Sequence, residues 1–354
     1  MLPRTLFTIL ALLFCAAPAP GADNAAQQPA FPIFRVGGFA DVELHTTSEN
    51  EREGLDLVEL DVFSNLQLSN DWSAFAEGVA QRSWRRNDEP RIETDLERAY
   101  VEYSPSDAFR LEIGQTQTGI IRWNEREHHS RFLQTPIDVP ALARRPQQDG
   151  AWPLRFIGGW ASGRVPGSLG VTWGSGAGLG PGRARDSIPV FGRDRSPAAL
   201  LSLSISPDSL PGFEVAAAAY AQEIHLGTER IHERDVTLSV NYVNSGTEVR
   251  GEWAMMKHRL GSTGTPYRTT GYYLLLSKRL RGPLERVRPY FMLDRLTLPL
   301  GEVYLQEATP ERAWATGLRY DFTQHISIKG EYRSQRAPDG DHEDVFGLQF
   351  GVSF

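Results

Sequence analysis

Asp344-Val345-Phe346-Gly347-Leu348-Gln349-Phe350-Gly351-Val352-Ser353-Phe354 closes the chain, and its side chains alternate without a break. Phe346, Leu348, Phe350, Val352 and Phe354 fall on one face, while small or polar residues fall on the other. A period of two identifies a β-strand whose faces meet different surroundings, here an apolar phase and water. A core strand of a soluble domain alternates in the same way. The fold is therefore decided by whether the pattern repeats along the chain.

At the other end, residues 1–22 carry one charge, Arg4, then an apolar run from Leu6 to Ala17, then small residues and Pro before Asp23. This reads as a signal peptide cleaved after Ala22. It is followed by a short periplasmic segment, 23–31, and a β-barrel domain, 32–354. A lipoprotein signal modified at Cys15 would need a small residue before the cysteine, and Phe14 stands there. Cys15 is the only cysteine, so the remainder can form no disulfide and no cysteine-based metal or redox site. Beyond the signal no run of eighteen apolar residues occurs, and any membrane crossing must use strands.

The formal charge is -7, and it becomes -8 when Arg4 leaves. No basic stretch is present to neutralise a run of phosphates, which argues against a nucleic-acid partner. Lysine occurs only at Lys257, Lys278 and Lys329, so nearly every positive charge is an arginine.

The alternation recurs. Phe34, Val36, Ala40, Val42 and Leu44 oppose Arg35, Asp41 and Glu43; Leu60, Val62, Leu66 and Leu68 oppose Asp61, Asn65 and Gln67. Asn70-Asp71 then marks a tight turn before a strand opening at Trp72. Ala99, Val101 and Tyr103 oppose Arg98, Tyr100 and Glu102, and after a turn at 104–107, Phe109, Leu111 and Ile113 oppose Arg110 and Glu112. Later strands centre on Val171, Leu203, Leu238, Trp253, Leu318 and Ile328, with Arg250, Glu252, Arg319, Glu331 and Arg333 on inner faces. Two stretches, Phe75 to Ser83 and Phe156 to Ala161, alternate poorly and are placed by spacing.

The count is sixteen antiparallel strands. Short connections fall near Asn70, Pro105, Pro166, Asp208, Asn244, Gly282 and Thr323. Long ones fall near Ser48 and Asn87 and at 117–152, 174–196, 225–234, 259–267, 297–311 and 335–343. Strict alternation of short and long connections marks a transmembrane β-barrel with both termini on the periplasmic side. Trp314 and Phe322 stand eight steps apart, roughly 20 Å along the normal of a tilted barrel, against an apolar band of about 25 Å. Charges on so many inner faces would be costly in a dry sandwich, whereas a wet lumen removes that cost. Sixteen strands give a barrel roughly 30 Å across, too wide for wall side chains to fill.

The longest connection, the third long one, runs Gly119-Ile120-Ile121-Arg122-Trp123-Asn124-Glu125-Arg126-Glu127-His128-His129-Ser130-Arg131 and on through Asp138 to Arg144-Arg145. It lies where general porins fold a loop into the lumen. A closing strand that ends in Phe354 resembles the last strand of bacterial outer-membrane barrels, whose terminal aromatic belongs to the signal read by the insertion machinery. The chain thus resembles the porin superfamily, most closely the phosphate-selective O/P type and its uncharacterised relatives. The likeness covers the chain after the signal in architecture. Its sequence-specific part is the fourth and fifth strands, this loop and the closing strand. It implies a passive outer-membrane channel for small hydrophilic solutes or ions, seated in lipid and lipopolysaccharide and assembled as a homotrimer. It implies no cofactor and no covalent chemistry. Phosphate-selective members use lysines and arginines in their constriction, and the lysines are missing here.

On that reading the constriction residues are Arg122, Glu125, Arg126, Glu127, His128, His129, Arg131, Asp138, Arg144 and Arg145. The lumen wall carries Arg98, Glu102, Arg110, Glu112, Arg250, Glu252, Arg286, Arg288, Arg319, Glu331 and Arg333. The arginines form either an anion-preferring path or, with the glutamates, pairs that stiffen the wall. Glu127-His128-His129 could hold a metal, but adjacent histidines on an extended segment point apart. Ser130 with His128 and Asp138 lies in a loop, unlike the lipid-facing residues of barrel hydrolases. The glycine-rich stretch 174–182 lacks the Lys-Ser/Thr of a phosphate loop. The alternative is a non-conducting barrel acting as scaffold, adhesin or sleeve for a partner protein.

Overall fold

A computed structural model describes residues 30–47, 54–83, 91–127, 132–144, 150–182, 196–302, 304–305, 308–336, 340 and 342–354. The signal segment, His128, His129, Ser130, Arg131 and Arg145 lie outside the described residues. The strands are β1 (Ile33–Thr47), β2 (Gly54–Gln67), β3 (Trp72–Ser83), β4 (Arg91–Ser106), β5 (Phe109–Gln117), β6 (Arg155–Arg164), β7 (Val171–Gly180) and β8 (Ser196–Ile205). They continue as β9 (Phe213–Leu226), β10 (Glu229–Asn244), β11 (Thr247–Leu260), β12 (Pro266–Lys278), β13 (Val287–Thr297), β14 (Glu311–Thr323), β15 (Ile326–Arg336) and β16 (His342–Ser353). All sixteen pair antiparallel with their sequence neighbours, and β1 pairs with β16 to close the barrel. The closing register sets Val42 opposite Phe350 and Phe39 opposite Ser353. The Phe354 amide and carbonyl exchange hydrogen bonds of 3.0 and 2.9 Å with Gly38, so the last residue completes the seam. Closure removes every sheet edge, which is what backbone in lipid requires.

The outer face is apolar. Leu201, Leu203, Val236, Leu238, Val240, Leu318 and Phe350 are exposed on it, and no soluble domain leaves so continuous a surface uncovered. Near the short turns Trp72 and Tyr103 sit 4.8 Å apart between ring centres, and Tyr320 meets Phe322 at 4.8 Å. Toward the other rim Phe291, Trp314, Tyr332 and Phe346 form a second aromatic chain. Two such girdles are the expected anchors at the two interfaces.

Two connections differ from the sequence expectation. In place of a long loop at 225–234, β9 and β10 meet through Gly227-Thr228 alone, with Gly227 at φ 63°; in place of 259–267, β11 and β12 are joined by residues 261–265. Here the strands run on past the apolar band. Outward Arg230, His232, Arg234, Lys257 and Arg259 are exposed, so hydropathy loses the strand while the ladder continues. The two stretches that alternate poorly are β3 and β6, where Phe75, Phe156 and Trp160 point inward and alanine or glycine points out. In β4 a register shift opposite Glu77 and Gly78 lets both Glu97 and Arg98 face the interior.

Candidate functional site: the loop inside the barrel

The described residues of this connection, 118–127, 132–144 and 150–154, enter the barrel rather than covering it. Thr118 anchors the start, donating its hydroxyl to the Pro153 carbonyl at 2.7 Å, and Ile120 presents its carbonyl to Thr237 on β10, also at 2.7 Å. A short helix, α1 (Arg122–Glu127), follows. Its first amides, of Arg122 and Trp123, donate to the Glu252 carboxylate on β11 at 2.7 and 3.3 Å. That carboxylate satisfies donors which no residue within the helix can reach.

The apolar residues of the loop explain its position. Ile120, Ile121, Trp123, Leu142 and Trp152 are at most 2 % exposed and pack on Leu200, Tyr220, Ile224, Ile231, Met256, Tyr273, Leu275 and Met292 of the wall. Each large side chain so buried is worth about 1.5–3 kcal/mol. A wall side chain can face inward and be apolar only where something dry covers it. The loop covers the inside of β8–β14.

Ion pairs fix the rest of the path. Arg122 holds Glu214 of β9 with two parallel hydrogen bonds of 3.0 and 2.9 Å, and Arg126 shares the same carboxylate. Glu127 pairs with Arg250, whose Nε donates to Glu248 at 2.6 Å. Glu248 also accepts the Thr135 hydroxyl at 2.6 Å, and Arg288 stands 3.6 Å from it. Arg319 donates to the carbonyls of Phe132 and Gln134 at 2.6 and 2.8 Å, and Lys329 donates to that of Pro136 at 3.1 Å. Glu331 accepts the Ile137 amide at 3.0 Å. Arg333 bonds Asp294 at 2.8 Å and also Glu311, which Arg144 reaches from the loop. Bidentate contacts of this kind are directional as well as strong. Burial alone would lower the Arg122 and Arg144 pKa values, but Glu125 and Glu214 in the first case and Glu311 in the second raise them. Arg126 moves the other way, lowered by burial and by Arg122.

Several predicted wall residues therefore do not face water. Arg250, Arg319 and Arg333 bond the loop or the carboxylates that hold it, and Arg333 is 1 % exposed. The cost of burying them is met by pairing with the loop rather than by a wet lumen. Arg286 precedes β13 in the turn of 279–286 and is exposed at the barrel end. The opposite side differs. Arg110 is 52 % exposed at its side chain, with Glu102 and Glu112 only at 3.7 and 4.0 Å. Together with Glu125, Arg126 and Arg122 it borders a cavity of about 620 Å³ against β5–β10. A second, of about 660 Å³, lies toward the short turns between Phe132, Arg279, Arg286, Arg288 and Arg319.

Glu214, Glu248, Glu311 and Lys329 complete the clamp and were absent from the sequence-based site. Glu248 and Lys329 sit at inward-facing positions beside the recognised outward residues Val249 and Ile328. The dry wall also had a signal: Tyr272-Tyr273-Leu274-Leu275-Leu276 and Tyr290-Phe291-Met292-Leu293 are unbroken apolar runs, as strands covered on both faces should be.

The anion-selective porin from Comamonas acidovorans superposes with a TM-score of 0.66 at 12% identity, over 92% of this chain and 100% of that one. The fold is that of the bacterial outer-membrane porins. The outer membrane channel DcaP of Acinetobacter baumannii gives 0.61 at 12% identity, over 93% and 99%. In-vitro folded OmpT of Vibrio cholerae, in its trimer form, gives 0.60 at 9% identity, over 91% and 99%. No family model and no curated sequence matches the chain. The shared architecture is thus carried by barrel geometry and not by shared residues.

Proposed function

We propose that the protein is a passive diffusion channel of the bacterial outer membrane, exported with a cleaved signal peptide, carrying small hydrophilic solutes or ions. The observation that supports it best is the loop held inside a closed barrel of sixteen strands. Loop residues fill the lumen inside β8–β14, while beside β5 a cavity of about 620 Å³ keeps Arg110 and Glu125 half-exposed and facing inward, which water tolerates. In this reading residues 117–152 set the constriction. Arg110, Arg122 and Arg126 supply fixed positive charge to the passage, with Glu102, Glu112 and Glu125 opposite.

Anion preference follows from the side-chain balance. Arg110 and Arg126 keep about half and more than a third of their side chains exposed, whereas Glu214, Glu248 and Glu252 are bonded into the loop clamp. The printed description of the Comamonas porin as anion-selective agrees with this preference, and the trimer form of OmpT agrees with a homotrimer seated in lipid and lipopolysaccharide. No residue here is assigned a covalent step.

The test is a planar bilayer under a salt gradient. Discrete current steps with a reversal potential on the anion side are expected. Cation-side reversal would remove the selectivity, and silence from a folded barrel would remove the channel.

A further inference from the structure

Six cations on the outer face of the barrel are lined up in register by the sheet. Arg234 of β10 stands directly opposite Lys257 of β11, which stands opposite Arg268 of β12. Arg295 of β13 stands opposite Arg312 of β14, which stands opposite Arg336 of β15. All six are exposed, and among the described residues none of their side chains makes a hydrogen bond or an ion pair. Directly opposed side chains on neighbouring strands begin about 5 Å apart, and like charges placed in this way destabilise the ladder. An isolated cation needs only water, whereas three in register are stabilised by an anion seated among them.

Their level on the barrel narrows what that anion is. Each trio lies at the strand ends beside the long connections, one outward step beyond the apolar band: Val236 follows Arg234, Met255 precedes Lys257, Leu293 precedes Arg295 and Trp314 follows Arg312. The aromatic chain of Phe291, Trp314, Tyr332 and Phe346 runs just below the second trio, which places the cations at the depth of lipid headgroups. Outward carboxylates nearby are already engaged. Glu223 faces His225, Arg230 and His232 at 3.3, 3.7 and 3.9 Å, Glu229 accepts the Ser262 amide at 3.0 Å, and Asp344 accepts the Tyr332 hydroxyl at 2.9 Å. At the same rim β7 and β8 present Leu179, Pro197 and Ala199 instead, so the cations are not spread evenly around the barrel.

Resting on the outer-membrane reading above, we propose that the two trios seat the phosphate groups of an outer-leaflet glycolipid directly, their guanidinium and ammonium groups standing in place of a bridging divalent metal. An arginine meets phosphate oxygens with two parallel hydrogen bonds, and a lysine adds a point charge between two arginines in the first trio. The acyl chains of the same lipid lie along Val236, Leu238, Val240 and Leu293, which are exposed directly beneath. Association requires no chemistry beyond ion pairing, hydrogen bonds and apolar contact.

The test uses the full barrel folded in non-ionic detergent with EDTA present, mixed with diphosphoryl lipid A or with its chemically dephosphorylated form, and read as glucosamine co-eluting with the barrel in size-exclusion chromatography. Retention of the diphosphoryl lipid, and not of the dephosphorylated one, is expected. The combined substitutions Arg234→Gln, Lys257→Gln and Arg268→Gln remove one trio, and Arg295→Gln, Arg312→Gln and Arg336→Gln remove the other. Each set should weaken retention by roughly a hundredfold. The gel-mobility shift verifies folding, and a set that does not fold is replaced by Lys257→Gln or Arg312→Gln alone, with about a fivefold loss expected. Retention that needs magnesium, that extends equally to the dephosphorylated lipid, or that is unchanged in the glutamine variants overturns the seat. So does displacement of the lipid by inorganic phosphate at equal concentration, which would make this a site for the free anion. The planar bilayer and cell fractionation test the channel and its location separately, and lipid retention decides the seat whatever they show.

Discussion

The two halves of the lumen are built from the same strands and the same alternation, yet they have opposite interiors. Inside β8–β15, loop residues bury an apolar core and satisfy Glu214, Glu248, Glu311, Glu331 and Arg333; beside β4 and β5, Arg110 keeps half of its side chain exposed near Glu102 and Glu112. The contrast teaches that an inward position in a wide barrel has no fixed polarity. What covers it decides whether leucine or arginine is the favourable choice there. Stability should therefore reside in the covered half and permeation in the open half.

The largest expected effect tests the covered half. Arg333→Ala leaves Asp294 and Glu311 short of their shared cation at 1 % exposure, and should cost about 3–5 kcal/mol, read as a lower urea midpoint in the gel-mobility shift of the folded barrel. A loss below 1 kcal/mol would break the comparison. Next, Gly37→Ala pushes a methyl to 2.7 Å from the Phe63 ring, and should cost about 1–3 kcal/mol.

Glu252→Gln keeps the shape of the carboxylate but gives up one charged acceptor for the α1 amides, a loss of about 1.5–3 kcal/mol at most for a bond to a charged group. Its readout is open-channel noise, which should rise as α1 loosens; an unchanged trace would mean that the apolar core alone holds the loop. The smallest change in stability belongs to Arg110→Gln, within about 0.5 kcal/mol because its ion pairs are long and wet. Yet this substitution should move the reversal potential furthest toward cations. A shift as large from Arg333→Ala would erase the distinction between the halves.

The legible part of the site was the part that obeys local rules. Arg110, Glu112, Arg250 and Arg319 were found because each sits one step from an apolar outward residue. Several contacts across the lumen were not: Glu214 meets Arg122 across 92 positions of sequence, and Ile137 meets Glu331 across 194. The loops at 225–234 and 259–267 were misread because strand pairing persists above the lipid, where nothing requires an apolar outer face.

By itself, then, the sequence determined the closed barrel, its sixteen strands and the identity of its long third loop. A period of two, turn residues and an apolar outer face act over neighbouring residues, and each is written in order along the chain. Only the tertiary structure decided which half of the lumen is dry, which arginines hold the loop and which meet the passage. Those outcomes depend on contacts between residues a hundred or more positions apart, and no local pattern records which inward side chain a folded loop will cover.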